Sequence, residues 1–542
     1  MIEQPRIEEF QKDWDRYTSG LMSENEANLF KACWGLHVTR DGGWILKFRF
    51  PGGQMSPEQA EGLAGFLRKW VAEARARITP RQNIQVFDFA AEKLPLAMAD
   101  LASFGLSTWR HPGAGMSTSS LCEKGAYCEN SKLDPRPLLN ALETWLGEHG
   151  KGYPAKFKVA FSACGNDCAY AGGHDVGLVA TENEKGEKGY QVMGGGRLGE
   201  EPRPAFLLKA FVSETAAGPF LGSIVEAAKK LAKGNARARL GYILEEIGVE
   251  AFLAEAAKFK VTDFPKVEAT APKYSDPSED GIPMTTGEEY RKFLDTNVFT
   301  QKDGEHLVAV VRVPFGWVTA AQWEVLAKVS RDFSNGELRL TQSQNIMIPM
   351  IHESNLQWVH YDLNQFGLGL AGAGYISDLS CCPGPKACDN AQDISAHEAL
   401  AQFFALGDLG LDPGELAGAI KVSSCPNKCG NPELGSLALI GASWGEGAMK
   451  ETGYKILMGG GKNPAGMRIG REVGACRAVR LGSVLRSLME RFKEEKHGDE
   501  NFHQFCQRVS EGDPSPAQMW LQVYTDETGI GEPHMELVDG GA

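Results

Sequence analysis

Apolar residues fill Trp44–Phe50 except at Lys47 and Arg49, which stand two residues apart. That spacing predicts a strand with both cations on one face. Leu307–Val313 repeats the pattern with one cation, Arg312. A helix is expected within Ser56–Thr79 and another within Thr319–Ser334, followed by strands over Ile84–Phe87 and Ile346–Pro349. A second helix in each half ends near Phe104-Gly105-Leu106 or Phe366-Gly367-Leu368. A cysteine-bearing loop, a further helix and a strand leading into a second cysteine pair complete each half. Helices alternating with strands able to pair antiparallel predict α+β layers.

The recurrence is a duplication. Cys122, Cys128, Cys164 and Cys168 answer Cys382, Cys388, Cys425 and Cys429, at offsets of 260 and 261 residues. Thr79-Pro80-Arg81-Gln82-Asn83-Ile84 answers Thr341-Gln342-Ser343-Gln344-Asn345-Ile346, and Gly194-Gly195-Gly196 answers Gly459-Gly460-Gly461. A domain-sized period excludes a short solenoid repeat and predicts a pseudo-two-fold pair of halves. The Pro-rich, polar stretch from Phe264 to Pro283 reads as the linker. The expected domains are 1–110, 111–265, a linker at 266–285, 286–372 and 373–542.

With 542 residues, the chain is too long for one core. Lys+Arg 56 against Asp+Glu 70 gives a net charge of −14, which argues against general nucleic-acid binding but not against a local anion pocket. No apolar run is long enough for a transmembrane helix. The first residues, Met1-Ile2-Glu3-Gln4-Pro5, lack a basic region followed by an apolar one, so a cytoplasmic location is expected.

Twelve cysteines in such a chain point to metal or redox chemistry more than to disulfides. Each quartet reads C-x5-C, a long gap, then C-x3-C. Structural zinc sites favour closer pairs. Four thiolates in Gly- and Pro-rich loops suit a 4Fe–4S cluster, because backbone N–H groups can approach its sulfides. On spacing alone, iron–sulfur, zinc and structural thiols all stay open. Cys33, Cys381, Cys476 and Cys506 read as buried structural thiols.

Phe48-Arg49-Phe50-Pro51-Gly52-Gly53, Pro80-Arg81-Gln82-Asn83-Ile84-Gln85, Lys156-Phe157-Lys158, the Gly triplets and the second quartet resemble the siroheme-dependent nitrite and sulfite reductase family, over about Trp34 to Arg508. The resemblance implies, for each half, a ferredoxin-like half-domain and a siroheme/4Fe–4S-type α/β domain. It implies a 4Fe–4S cluster on Cys382, Cys388, Cys425 and Cys429, with Cys429 bridging to siroheme iron. It places Lys47, Arg81, Lys156 and Lys158 in catalysis. Arg49, Arg81, Gln82, Asn83, Arg312, Gln344, Asn345 and Cys429 would contact the cofactor. Siroheme carries many carboxylates, which arginine clamps in a bidentate way.

Lys47, Arg81, Lys156 and Lys158 are answered in the second half by Val310, Ser343, Ala417 and Ala419. One catalytic centre is therefore expected. Two departures limit its basicity: Lys47 stands where many relatives carry arginine, and Met116–Leu121 contains no base. A third departure is the first quartet, which is expected to hold a second 4Fe–4S cluster, either as a relay or beside a silent second tetrapyrrole. His111 and His174 read as structural histidines rather than proton donors.

The expected reaction is six-electron reduction of sulfite to sulfide. The alternative is six-electron reduction of nitrite to ammonia. Other readings are a non-catalytic siroheme/iron–sulfur electron-transfer protein and a zinc-binding structural protein. No C-x2-C-x2-C run and no G-x-G-x-x-G after a strand is present, so the electron donor is external, a ferredoxin or a flavoprotein. Partners are thus a small oxyanion and that donor, with no nucleic acid and no membrane insertion.

Overall fold

Two helices, Pro57–Trp70 and Ala320–Phe333, begin with the same capping box. Ser56 and Thr319 accept from the backbone of Gln59 and Gln322, whose side chains reach back to the cap. Each helix buries one apolar stripe, Leu63, Phe66 and Leu67 in the first and Trp323, Leu326 and Val329 in the second. The computed structural model describes residues 4–39, 42–109, 116–150, 153, 156–199, 201–233, 238–268, 287–385, 388, 391, 413–444, 451–463 and 466–526. His111 and most of the expected linker lie outside the described residues.

The chain forms two compact units. The first is Met1–Arg197, Arg203–Ala373 and Pro464–Met467, and the second is Leu198–Pro202, Gly374–Asn463 and Arg468–Ala542. The first contains three five-stranded sheets. One sheet is built from β1 (Leu36–Val38), β2 (Trp44–Phe48), β4 (Arg75–Ile78) and β5 (Ile84–Phe89), with β3 (Gln54–Met55) leaving it. The next in the chain is β6 (Ser120–Leu121), β7 (Val159–Ser162), β8 (Val176–Glu182), β9 (Lys188–Gly194) and β10 (Phe206–Ser213). The third is β11 (Val298–Thr300), β12 (His306–Val311), β14 (Leu338–Leu340) and β15 (Ile346–His352), with β13 (Trp317–Thr319) leaving it.

The two departing strands are exchanged. β13 pairs antiparallel with β4, setting Trp317 opposite Arg77 and Thr319 opposite Arg75. β3 pairs antiparallel with β14, setting Met55 opposite Leu338 and Gln54 opposite Arg339. Each half-domain therefore completes the other's sheet, and one hydrophobic core runs from Phe10 to Leu368 through both.

The motifs shared by the halves serve this seam. A Cβ on Gly53 would sit 2.4 Å from Leu340 O, and one on Gly316 would sit 2.7 Å from Ile78 O. Both glycines also have positive φ, so no other residue fits these close approaches. Gln82 is fully buried. Its Nε2 donates to Leu121 O at 2.9 Å and Leu340 O at 3.0 Å, and its Oε1 accepts from Leu121 N at 2.9 Å. Its counterpart Gln344 donates to Ile78 O at 2.7 Å.

The second unit repeats the α/β layer in its strand order. β16 (Ser380–Cys381) runs parallel to β17 (Ile420–Ser423), which runs parallel to β18 (Leu437–Trp444). β19 (Glu451–Met458) is antiparallel to β18. After two short strands, β20 (Gly461–Asn463) and β21 (Gly466–Arg468), β22 (Arg471–Arg477) closes the sheet beside β19. In the first unit β6, β7, β8, β9 and β10 follow the same order and directions. The fold is the expected α+β duplication. Among the described residues, no helix is long and apolar enough to cross a membrane.

Gln82→Leu keeps the volume but strips three buried backbone groups of their partner, each costing about 1–3 kcal/mol. The expected outcome is a lower urea midpoint for the first unit. An unchanged midpoint would contradict the seam's role.

Candidate active site

The turn joining β4 to β5 is tied by Thr79 N to Asn83 O at 2.8 Å and Gln82 N to Thr79 O at 2.9 Å. Burying Gln82 beside it fixes where Arg81 starts. Arg81 Nη2 donates to Thr118 O at 2.9 Å, and its Nη1 lies 3.4 Å from His174 Nε2. His174 Nδ1 lies 2.9 Å from Tyr170 O. A carbonyl only accepts, so Nδ1 carries the proton and Nε2 offers Arg81 a lone pair. Burial, and then the Arg81 charge, hold the His174 pKa well below its ordinary value, so the ring is neutral. It acts as an acceptor toward Arg81, a contact that the reading of His174 as a structural histidine does not include.

Lys158 immediately precedes β7 and is partly buried, while Lys156 is exposed. Lys158 N donates to Asp175 Oδ2 at 2.9 Å. Asp175 is fully buried and takes Arg239 Nε at 3.1 Å and Nη2 at 2.8 Å. Burial pushes the Lys158 ammonium down, Arg81 and Arg239 push it further, and Asp175 opposes them only in part. The result is a pKa lowered to about 7. A lysine that titrates near neutrality among fixed cations can hold an anion and give it a proton.

Asp175 and Arg239 were not among the residues singled out from the sequence. The repeat offset could have flagged the first, since Asp175 is answered by uncharged Ser436. Arg239 lies 64 residues further along the chain and carries no local motif.

The other expected site residues have different surroundings. Lys47 lies on β2 opposite Gln85 and is partly buried. Arg49 donates to Thr118 Oγ1 and Trp109 O, both at 3.2 Å, and forms an ion pair with Glu143. Glu143 in turn accepts from Ser119 N at 2.8 Å. This arginine ties β2 to the 116–121 segment and the helix Arg136–His149. Arg312 donates to Ala371 O at 2.9 Å. Asn83 and Asn345 accept from Phe50 N at 3.1 Å and Val313 N at 2.9 Å. Gln82 and Gln344 expose none of their surface and tie the seam, while Asn345, 1% exposed, ties Val313 within its own half-domain, so these three amides face protein.

In the second unit, Cys382 follows β16 and Cys425 lies just beyond β17. Ser424 N donates to Cys382 Sγ at 3.1 Å. Burial raises the Cys425 pKa to about 11, and Cys429, Cys382 and Cys388 add like-charge repulsion. All four sulfurs thus share one electrostatic neighbourhood, with Cys429 the exposed member. Four thiols, two of them (Cys382 and Cys425) already receiving a backbone N–H, fit the ligand set of a 4Fe–4S cluster. The cations of the first unit fit the carboxylates of siroheme. In the first unit, Cys122 and Cys164 are buried, while Cys128 and Cys168 are partly exposed. Among the described residues, no three His, Cys, Asp or Glu side chains gather tightly enough to ligate one metal ion.

Residues 112–262 match the profile described as nitrite and sulphite reductase 4Fe-4S domain. Residues 37–104 and 299–366 each match the nitrite/sulfite reductase ferredoxin-like half domain. A ferredoxin–nitrite reductase of Synechococcus elongatus is 25% identical over 452 residues, which cover 77% of this chain and 80% of that one. The NADPH sulfite reductase hemoprotein beta-component of Xanthomonas campestris pv. campestris is 25% identical over 516 residues, 86% of this chain and 85% of that one. The solved structure of Mycobacterium tuberculosis NirA protein shares the fold, with a TM-score of 0.73 at 19% identity, covering 92% of this chain and 95% of that one. Two half-domain matches in the duplicated positions, the 4Fe-4S domain between them and relatives over most of the length converge. The chain belongs to the siroheme-dependent nitrite and sulfite reductases, whose cofactors are siroheme and a 4Fe–4S cluster.

Proposed function

We propose that this reductase converts sulfite to sulfide in a six-electron reaction. The observation that carries this reading is the cation cluster around Lys158. Arg81, Arg239, Lys156 and Lys158 itself act against one carboxylate, Asp175. That surplus of positive charge suits a dianion. Sulfite carries a second negative charge near neutral pH, whereas nitrite carries one. The alignment with the Xanthomonas sulfite reductase component also covers more of the chain than that with the Synechococcus nitrite reductase. Reduction of nitrite to ammonia is the second reading. It is favoured by the ferredoxin–nitrite reductases of Zea mays and Arabidopsis thaliana, each aligned over more than 70% of this chain.

Siroheme and its cluster, when bound, supply the iron that takes the oxyanion and the electrons that reduce it. Cys382, Cys388, Cys425 and Cys429 would hold the cluster, and Cys429 is the exposed member of the four. Arg81 binds substrate oxygen, oriented by Thr118 O and by a neutral His174 that does not compete for charge. Lys156, in solvent, draws the anion in, and Lys47 adds a charge from β2. Lys158 is the proton donor. An arriving anion raises its pKa, so the proton is loaded when substrate is present and passes to oxygen leaving as water. The electron donor is an external ferredoxin or flavoprotein, and the protein works in the cytoplasm.

Anaerobic turnover with a reduced viologen tests the substrate. Sulfite is expected to give sulfide with a kcat/KM above that for nitrite. A higher value for nitrite, with ammonia as product, would replace this reading with the second. Raising pH through about 7 removes the Lys158 proton, so kcat/KM falls on the alkaline side. Lys158→Met is expected to lower kcat by roughly 10²-fold or more and to abolish the part of the limb that Lys158 causes. A limb due to ionisation of sulfite itself would persist in the variant. Identical profiles would remove Lys158 from proton transfer.

A further inference from the structure

We propose that Lys428 is a positioning residue for the cluster: with Glu433 and Gly199 it holds the loop that carries Cys429 and tunes the reduction potential through a buried charge pair. The inference rests on the reading that the second quartet holds the cluster. The contacts of Lys428, Glu433 and Gly199 all lie in the second unit, which includes Leu198–Pro202.

The two C-x3-C loops share one backbone and differ in how they close. Asp167 and Lys428 occupy the same place, 261 residues apart, with φ of 43° and 53°. Asp167 N reaches Cys164 O at 3.1 Å and Lys428 N reaches Cys425 O at 3.2 Å. Ala169 N donates to Ser162 Oγ at 3.1 Å and Gly430 N to Ser423 Oγ at 2.9 Å. Asp167 then closes its loop locally. Its carboxylate accepts from Ser162 Oγ at 2.6 Å, Ala171 N at 2.7 Å and Gly172 N at 3.3 Å. Lys428 cannot do this, because an ammonium only donates. It donates instead to Gly199 O at 2.8 Å and stands 3.6 Å from Glu433 Oε1.

This second closure draws on a distant part of the chain. Arg197 and Arg203 bridge each other, so the residues between them form a turn. Gly199 in that turn has φ of 108°, which a residue with a side chain rarely adopts. Its N–H donates to Glu433 Oε1 at 2.8 Å, while its carbonyl takes Lys428. Glu433 is fully buried, and among the described residues its Oε2 has no partner. A buried carboxylate with an open oxygen is costly unless a cation balances it. Lys428 supplies that cation.

At matching places the first loop has Asp167 and neutral Gly172, and the second has Lys428 and Glu433. Lys428 is the residue before Cys429, so its charge belongs to the loop that carries this thiol. Net charge is one of the factors that set the potential of an iron–sulfur cluster. Reduction adds an electron, so a nearby cation favours the reduced form and a nearby anion the oxidised one.

The test is a redox titration of the anaerobically isolated holoenzyme, followed by EPR on the cluster signal that Cys425→Ala removes. Lys428→Met is expected to lower the midpoint potential and Glu433→Gln to raise it. Each shift is about tenfold in the one-electron equilibrium constant, or about 59 mV. The double variant loses both charges and is expected to return close to the wild-type value, as is Lys428→Arg. A brace with no electrostatic role would move neither potential, or both in one direction, and either result would overturn the proposal. Where a lone buried charge expels the cluster, acid-labile sulfide is lost from a single variant and kept in the double one, which supports the pair. Loss from all three overturns it. A cluster signal that persists in Cys425→Ala contradicts the quartet assignment itself. Loss of the signal there, with unshifted potentials in the other variants, contradicts the charge pair alone.

Discussion

The exchange of β3 and β13 is the constraint on which the rest of the first unit depends. Neither half-domain sheet has its fifth strand without the other. The seam needs Gly53 and Gly316 at its closest approaches and the Gln82 and Gln344 amides to satisfy backbone groups across it. Arg81 is the neighbour of Gln82, so the pairing that closes the seam also fixes the turn that presents the guanidinium. Ser343 occupies the same place beside Gln344. The scaffold is retained twice and the charge once.

That asymmetry leaves Arg81, Lys156 and Lys158 without cationic counterparts in the second half. Asp175 and Arg239 form a buried pair whose carboxylate also takes Lys158 N, locking the start of β7. The pair brings a fixed cation close to Lys158, and Arg81 brings another. Burial first, and then fixed cations at short range, lower the affinity of Lys158 for its proton. For this reason we assign proton transfer to Lys158 and attraction of the anion to exposed Lys156.

Much of this was legible in the sequence. The helix and strand alternation, the duplication and both cysteine quartets follow from periodicity and spacing, and the sheets carry them where expected. The exchanged strands were not legible, because two- and three-residue strands have no periodicity and their partners lie in the other half. Gln82, Asn83, Gln344 and Asn345 stand out as repeated polar residues, which suggests a cofactor. Repetition marks structure just as well, and their amides bind backbone. Arg49 likewise reads as an anion clamp but faces Glu143. Asp175 and Arg239 were missed because their pairing is made only by tertiary structure.

We propose one siroheme-dependent anion pocket per chain, with its charge supplied by the first half. Acid–acetone extraction of the holoprotein, with siroheme quantified against chain concentration, tests this most directly. The account predicts about one siroheme per chain. Two per chain would contradict it, because Val310, Ser343, Ala417 and Ala419 offer nothing to balance a second set of carboxylates.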